Sequence, residues 1–177
     1  TYEYSGNDLT KVIQNGKAKM TYTYDSWHNV KTATTEEGLV YNFTYDTYGN
    51  NTSVSITSGG STMTSTATYS EDGNRLVSTT DALGKVTTYG YNEITNVLEW
   101  VQYPEDTDGT DGTADTRTKY TYDELYRMAT AACATDTGKN LSATYTYDEE
   151  DLLTAIQTPS TTYSFTYGDF GLRTSVR

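Results

Sequence analysis

Tyr22-Thr23-Tyr24-Asp25, Phe43-Thr44-Tyr45-Asp46, Tyr120-Thr121-Tyr122-Asp123 and Tyr145-Thr146-Tyr147-Asp148 are four copies of one short pattern. Looser copies are Tyr2-Glu3-Tyr4-Ser5, Ala67-Thr68-Tyr69-Ser70, Tyr89-Gly90-Tyr91-Asn92 and Phe165-Thr166-Tyr167-Gly168. The third position is tyrosine in all eight, and successive tyrosines lie 20, 21, 24, 22, 31, 25 and 20 residues apart. Self-similarity at such a period marks an array in which each unit is one supersecondary element stacked on its neighbours. The whole of 1–177 therefore reads as a single array of about eight repeats, interrupted by an acidic loop insertion at 104–117.

Each unit divides into two short strands. Side chains two apart share one face of a strand, so Tyr22 and Tyr24 project together while Thr23 faces away. Turn formers follow, as in Asp46 to Asn50 or Glu71 to Asn74; Gly, Asn and Asp tolerate positive φ, and Asp can bond the backbone two residues on. A second strand comes next, seen in Val97–Val101 and Leu152–Ile156, and polar turns such as Glu37-Gly38, Gly59-Gly60, Gly84-Lys85 and Gly138-Lys139 lead back to the next aromatic pair. Short turns join antiparallel neighbours, so the expected fold is all-β, tandem hairpins in one antiparallel sheet. Apolar residues in the second strand sit three apart (Val30 and Ala33, Val97 and Trp100, Leu153 and Ile156). That spacing breaks strict alternation, and a β-bulge would restore a common face.

Composition explains why tyrosine carries the pattern. Leu, Ile, Val and Phe number only 26, against 18 Tyr and 37 Thr, and mean hydropathy is -0.69. A tyrosine ring buries much apolar area while its hydroxyl keeps a partner, so tyrosine replaces the missing aliphatic core. A net charge of -12 offers no basic stripe for phosphates, which argues against nucleic acid. No apolar run reaches the length of a membrane span. The chain opens on repeat material and shows no signal peptide, which reads as a segment of a longer protein with unpaired end strands open to edge-to-edge self-association.

The tyrosine–aspartate units closely resemble Rhs/YD repeats, found in bacterial Rhs and wall-associated proteins, toxin-complex shells and teneurins. The resemblance spans all 177 residues. It implies a curved antiparallel sheet, a segment of a β-spiral shell that encloses or presents a toxin or effector domain, with flanking YD repeats as immediate partners. It also implies a secreted or bacterial cell-surface setting, and it admits an alternative role in surface-glycan binding or adhesion. Ser5, Ser70, Asn92 and Gly168 depart from the family's aspartate. No DPxG self-cleavage signature is present; the nearest string, Asp81-Ala82-Leu83-Gly84, reads as an ordinary turn.

Residues that recur in every unit serve architecture, whereas a catalytic site needs unique groups that converge. Asp25, Asp46, Asp123 and Asp148 therefore read as turn chemistry, and the chain is expected to be neither an enzyme nor a cofactor binder. His28 is the single histidine and Cys133 the single cysteine, which leaves no triad and no His-based metal cluster. In the insertion, Asp106, Asp108, Asp111 and Asp115 supply oxygen ligands of the type calcium takes, but the EF-hand register fails because Asp111 stands where glycine is required. Trp27, Trp100 and Tyr126 are the candidates for stacking on sugar rings.

Overall fold

The computed structural model describes residues 1–104, 117–134 and 140–177, and the acidic insertion with its four candidate aspartates lies outside them. Among the described residues, sixteen strands follow one another in chain order, and the paired strands are antiparallel. The first compact unit, Thr1–Val86, holds β1 (Tyr2–Ser5), β2 (Asp8–Gln14), β3 (Lys17–Tyr24), β4 (Val30–Thr35), β5 (Val40–Tyr45), β6 (Asn51–Ser58), β7 (Ser61–Tyr69) and β8 (Leu76–Thr80). The second, Thr87–Arg177, holds β9 (Val86–Tyr91), β10 (Leu98–Gln102), β11 (Arg117–Tyr122), β12 (Met128–Ala134), β13 (Asn140–Tyr147), β14 (Leu153–Gln157), β15 (Thr162–Tyr167) and β16 (Arg173–Val176). A short 3-10 turn, Asp169–Gly171, joins the last two strands. The all-β antiparallel expectation is met.

Alternation gives the sheet two distinct faces. Tyr22, Tyr24, Phe43, Tyr45, Tyr120 and Tyr122 are half-buried, while the intervening Thr23, Thr44 and Thr121 are exposed. Half-burying a ring of about 200 Å² is worth roughly 2 kcal/mol, so many modest contributions stand in for a deep core. Among the described residues only Ala33 and Val101 fall to 5% exposure. Across the threonine face, hydroxyls pair between strands: Thr23 with Thr32 at 2.6 Å, Thr121 with Thr130 at 2.7 Å, Thr166 with Thr174 at 2.9 Å.

The expected bulge is present in each hairpin whose first strand carries a repeat tyrosine. Register shifts between Thr23 and Tyr24, Thr44 and Tyr45, Thr68 and Tyr69, Thr121 and Tyr122, Thr146 and Tyr147, and Thr166 and Tyr167. One extra residue in the second strand therefore opposes the threonine, and Val30 faces Tyr24 while Ala33 faces Tyr22. Leu153 and Ile156 likewise face Tyr147 and Tyr145. The fifth unit corrects the reading of Val97 and Trp100. Leu98 faces Tyr91 and Val101 faces Tyr89, whereas Trp100 faces Gly90 on the threonine side. The turn before β10 carries one residue more than the turn after Tyr24, and that shifts the strand by one and exchanges its faces.

Six tyrosine hydroxyls tie a repeat to the one before. Tyr24 donates to the Leu9 carbonyl (2.8 Å), Tyr45 to Val30 (2.9 Å) and Tyr69 to Asn51 (3.2 Å). In the second unit Tyr122 donates to Leu98 (2.7 Å), Tyr147 to Met128 (3.0 Å) and Tyr167 to Leu153 (2.7 Å). In all six bonds, the acceptor is the residue that faces the previous repeat's own tyrosine across its bulge. Burial pushes the Tyr24 and Tyr122 phenols above their ordinary pKa.

Candidate functional site

The turns that follow the repeat tyrosines share one design. Asp46 Oδ1 accepts the backbone N–H groups of Tyr48 and Asn50, both at 2.9 Å, and Oδ2 accepts Asn50 Nδ2 at 3.0 Å. Asp25 accepts from Trp27 (2.8 Å) and Asn29 (3.0 Å and 3.1 Å). Asp123 accepts from Leu125 and Arg127 backbone at 2.9 Å and from Arg127 Nε at 2.7 Å. Asp81 does the same for Leu83 and Lys85 at 2.9 Å, so its turn is of the same kind. These carboxylates spend their oxygens on closing turns. Among the described residues, no group of three or more His, Cys, Asp or Glu is placed to hold a metal.

The same bonds set a pH dependence. Burial works to raise the pKa of Asp25, Asp46 and Asp123, but hydrogen bonds from Asn29, Asn50 and Arg127 together with the backbone outweigh it, and all three fall below the ordinary value. A depressed folded-state pKa contributes stability above the unfolded value and loses it as pH falls through the folded one. Midpoints of chemical unfolding should therefore stay level in this respect down to about pH 5 and drop steeply below about pH 4. An Asp46→Asn variant should show a shallower acid limb, and an identical limb would contradict the assignment.

One position in each turn is left-handed. His28 (φ 66), Gly49 (φ 87), Tyr126 (φ 61) and Asp151 (φ 63) occupy it. A bulky side chain with positive φ costs about 1–2 kcal/mol relative to its usual backbone, and Tyr126 is 59% exposed, so its ring regains little of that by burial. Tyr126→Gly is expected to stabilise the protein by roughly 1 kcal/mol in urea unfolding; a loss of stability would mean that the ring packs usefully.

Side chains also link one turn to the next. In the first unit Asn50 Nδ2 donates to the Gly73 carbonyl (2.8 Å), and the Tyr48 hydroxyl donates to the Glu71 carbonyl (3.1 Å). His28 Nδ1 lies 3.0 Å from both carboxylate oxygens of Asp8. In the second unit Arg127 bonds Asp151 at 2.6 Å and the Asp148 carbonyl at 3.2 Å, with its guanidinium 4.7 Å from the centre of the Tyr147 ring.

The three stacking candidates occupy different settings. Trp27, 82% exposed, flanks an open groove of about 690 Å³ with Tyr48, Asp25, Asn29 and Asp46. Tyr48, 63% exposed, was not singled out from sequence, although it stands two residues after Asp46 as Trp27 stands two after Asp25. Trp100 lies mid-strand in the second unit, half-buried against Gly90, with the Arg117 guanidinium 4.6 Å from its ring. Tyr126 stands in the β11–β12 turn. Cys133 is half-buried on β12, as a structural residue would be. Among the described residues, no helix is long and apolar enough to cross a membrane.

Comparison with known proteins adds a family and a fold. The family model described as RHS repeat matches residues 69–110. Comparison with the curated proteins finds no match. The chain is similar to the crystal structure of TcdB2-TccC3 without its hypervariable C-terminal region, at 19% identity and a TM-score of 0.53, over 89% of this chain and 10% of that one. It is also similar to the crystal structure of TcdB2-TccC3, at 20% identity and a TM-score of 0.52, over 84% of this chain and 10% of that one. The present chain thus spans a small part of the length of the solved chains it resembles. Residues 69–110 thus match the RHS repeat, six further tyrosine motifs lie outside the match in the same antiparallel order, and the fold is similar to that of TcdB2-TccC3.

Proposed function

We propose that this chain is a non-catalytic wall segment of an Rhs-type shell, in a secreted or cell-surface protein that encloses or presents a toxin or effector domain. The observation that carries this reading is the construction of the sheet: six repeat tyrosines tie their unit to its predecessor through the hydroxyl, and the turn aspartates are consumed in closing turns. Such a device can be repeated along a chain, and it uses the recurring side chains for architecture. Likeness in fold to TcdB2-TccC3 over a tenth of that chain supports it. The test is limited proteolysis of the whole protein, with electron microscopy. A hollow particle holding a domain that resists protease until the wall is opened would support the reading; a domain digested at the rate of an unprotected one would sink it.

A second reading, a surface-glycan-binding module, rests on the groove between Trp27 and Tyr48, where two exposed rings flank Asp25 and Asn29. Glycan-array binding lost in Trp27→Ala and Tyr48→Ala would favour it; no binding, or binding unchanged in both variants, would remove it.

A further inference from the structure

Successive turns of the repeat frame a niche, and in the second unit the chain fills it with its own side chain. This niche lies between the turn after Tyr122 and the turn after Tyr147. Arg127, four residues after Asp123, occupies it and is half-buried there. Its Nε donates to Asp123 Oδ2 (2.7 Å), and its Nη1 donates to the Asp148 carbonyl (3.2 Å) and to Asp151 Oδ1 (2.6 Å). The Tyr147 ring lies against the guanidinium, 4.7 Å from its carbon.

The first unit repeats the frame without the guanidinium. Counted from the repeat tyrosine, Asn29 stands where Arg127 does and Asp25 where Asp123 does, while Tyr45 and Asp46 take the places of Tyr147 and Asp148. The Asn29 amide is shorter and bonds Asp25 Oδ2 of its own turn at 3.1 Å. What is left is the open groove of about 690 Å³, lined by Asp25, Asn29, Tyr45 and Asp46 and flanked by Trp27 and Tyr48. The acceptors that hold Arg127 have counterparts here. The Asp46 carbonyl accepts the Gly49 N–H (3.2 Å) just as the Asp148 carbonyl accepts that of Asp151 (3.3 Å) and still takes the arginine. Residues 1–74 contain no arginine that could fill the groove from within.

Three replacements adapt this groove to a cation from outside. Gly49 stands in place of Asp151 and removes one carboxylate, whereas Trp27 and Tyr48 replace Leu125 and Glu150 and add two rings. Tyr48 is a fixed wall: its hydroxyl donates to the Glu71 carbonyl (3.1 Å), and its ring lies on Gly73, where a β carbon would stand 2.4 Å away. A guanidinium is planar and weakly hydrated, so it stacks on such rings, and Asp25 and Asp46 supply the opposite charge. Two more arginines of this chain take the same kind of seat, Arg117 over Trp100 at 4.6 Å and Arg173 over Phe165 at 5.8 Å. The net charge of -12 draws a cationic partner to this surface. We propose that the groove between the turns after β3 and β5 binds the guanidinium of an arginine side chain carried by a partner protein. The site stands on this geometry and does not depend on the wall role.

The two tryptophan indole N–H signals of the full chain, followed by heteronuclear NMR, provide the test. Titration with N-acetyl-arginine methylamide is expected to shift the Trp27 signal saturably and to leave Trp100 in place. N-acetyl-lysine methylamide should bind more weakly. Asn29→Arg puts the chain's own guanidinium where Arg127 has its counterpart and should abolish the response, with Trp100 reporting that the fold is kept. Should that variant not fold, Tyr48→Ala removes one wall of the groove and should weaken binding severalfold. The proposal is overturned by an unmoved Trp27 signal, by a response that survives Asn29→Arg or is unchanged in Tyr48→Ala, or by equal binding of the lysine compound. A neutral oligosaccharide that shifts Trp27 where the arginine compound does not would also overturn it and would give the groove to the glycan reading.

Discussion

Tyr147→Ala is expected to destabilise the second unit by about 2–4 kcal/mol, the lower part of the range for removing a large aromatic side chain, because this ring is half-buried. Two further contacts go with the ring. Its hydroxyl donates to the Met128 carbonyl at 3.0 Å, and the Arg127 guanidinium lies 4.7 Å from its centre. Tyr147→Phe removes only the hydrogen bond and should cost about 1 kcal/mol. The ratio between the two variants is the informative quantity, since a wall built of tyrosine rings needs the ring more than the hydroxyl. In a repeat array stability is a sum of unit and neighbour terms, so the alanine variant should also separate one unfolding transition into two. Urea unfolding followed by tyrosine fluorescence and circular dichroism measures both. An alanine variant within about 0.5 kcal/mol of the parent would contradict the role given to the ring, since that is the size of an ordinary surface effect.

Gly90→Thr is expected to cost about 1–3 kcal/mol through overpacking. A β carbon at Gly90 would stand 1.9 Å from Trp100 Cε2 and 2.2 Å from Nε1, so the indole must leave its place beneath Arg117. Other units carry a threonine pair here, Thr23 with Thr32 or Thr121 with Thr130. The double variant Gly90→Thr, Trp100→Thr restores that pair and should recover most of the loss. Expressed as a double-mutant cycle, the coupling should reach about 1 kcal/mol or more. Additive single effects would mean that glycine and tryptophan are not matched. Matching of this kind identifies Trp100 as a packing residue of the fifth unit and leaves Trp27 as the tryptophan free to meet a ligand.

Much of this was legible in the chain because the controlling interactions are local. Tyr22 and Tyr24 two apart, a turn-forming Asp25 and a returning strand specify a hairpin from neighbouring residues alone, and recurrence specifies the array. Even the bulge at the repeat tyrosine was implied by the spacing of Val30 and Ala33, because a period of three cannot stay on one face without it. The role of the aspartates followed from the same local logic. Three features depend on relations that no local pattern encodes. Trp100 changed faces because one extra turn residue exchanged the two sides of β10, and an insertion shows its effect only once its partner strand is known. Six repeat tyrosines place their hydroxyl on a carbonyl of the preceding repeat, a partner chosen by the stacking of units. The threonine face exists only because four antiparallel strands place Thr32, Thr44, Thr57 and Thr64 on one surface. The sequence by itself determined the hairpins, their turns and their number. Tertiary pairing decided which side chains share a face, because register across strands couples residues that the chain keeps far apart.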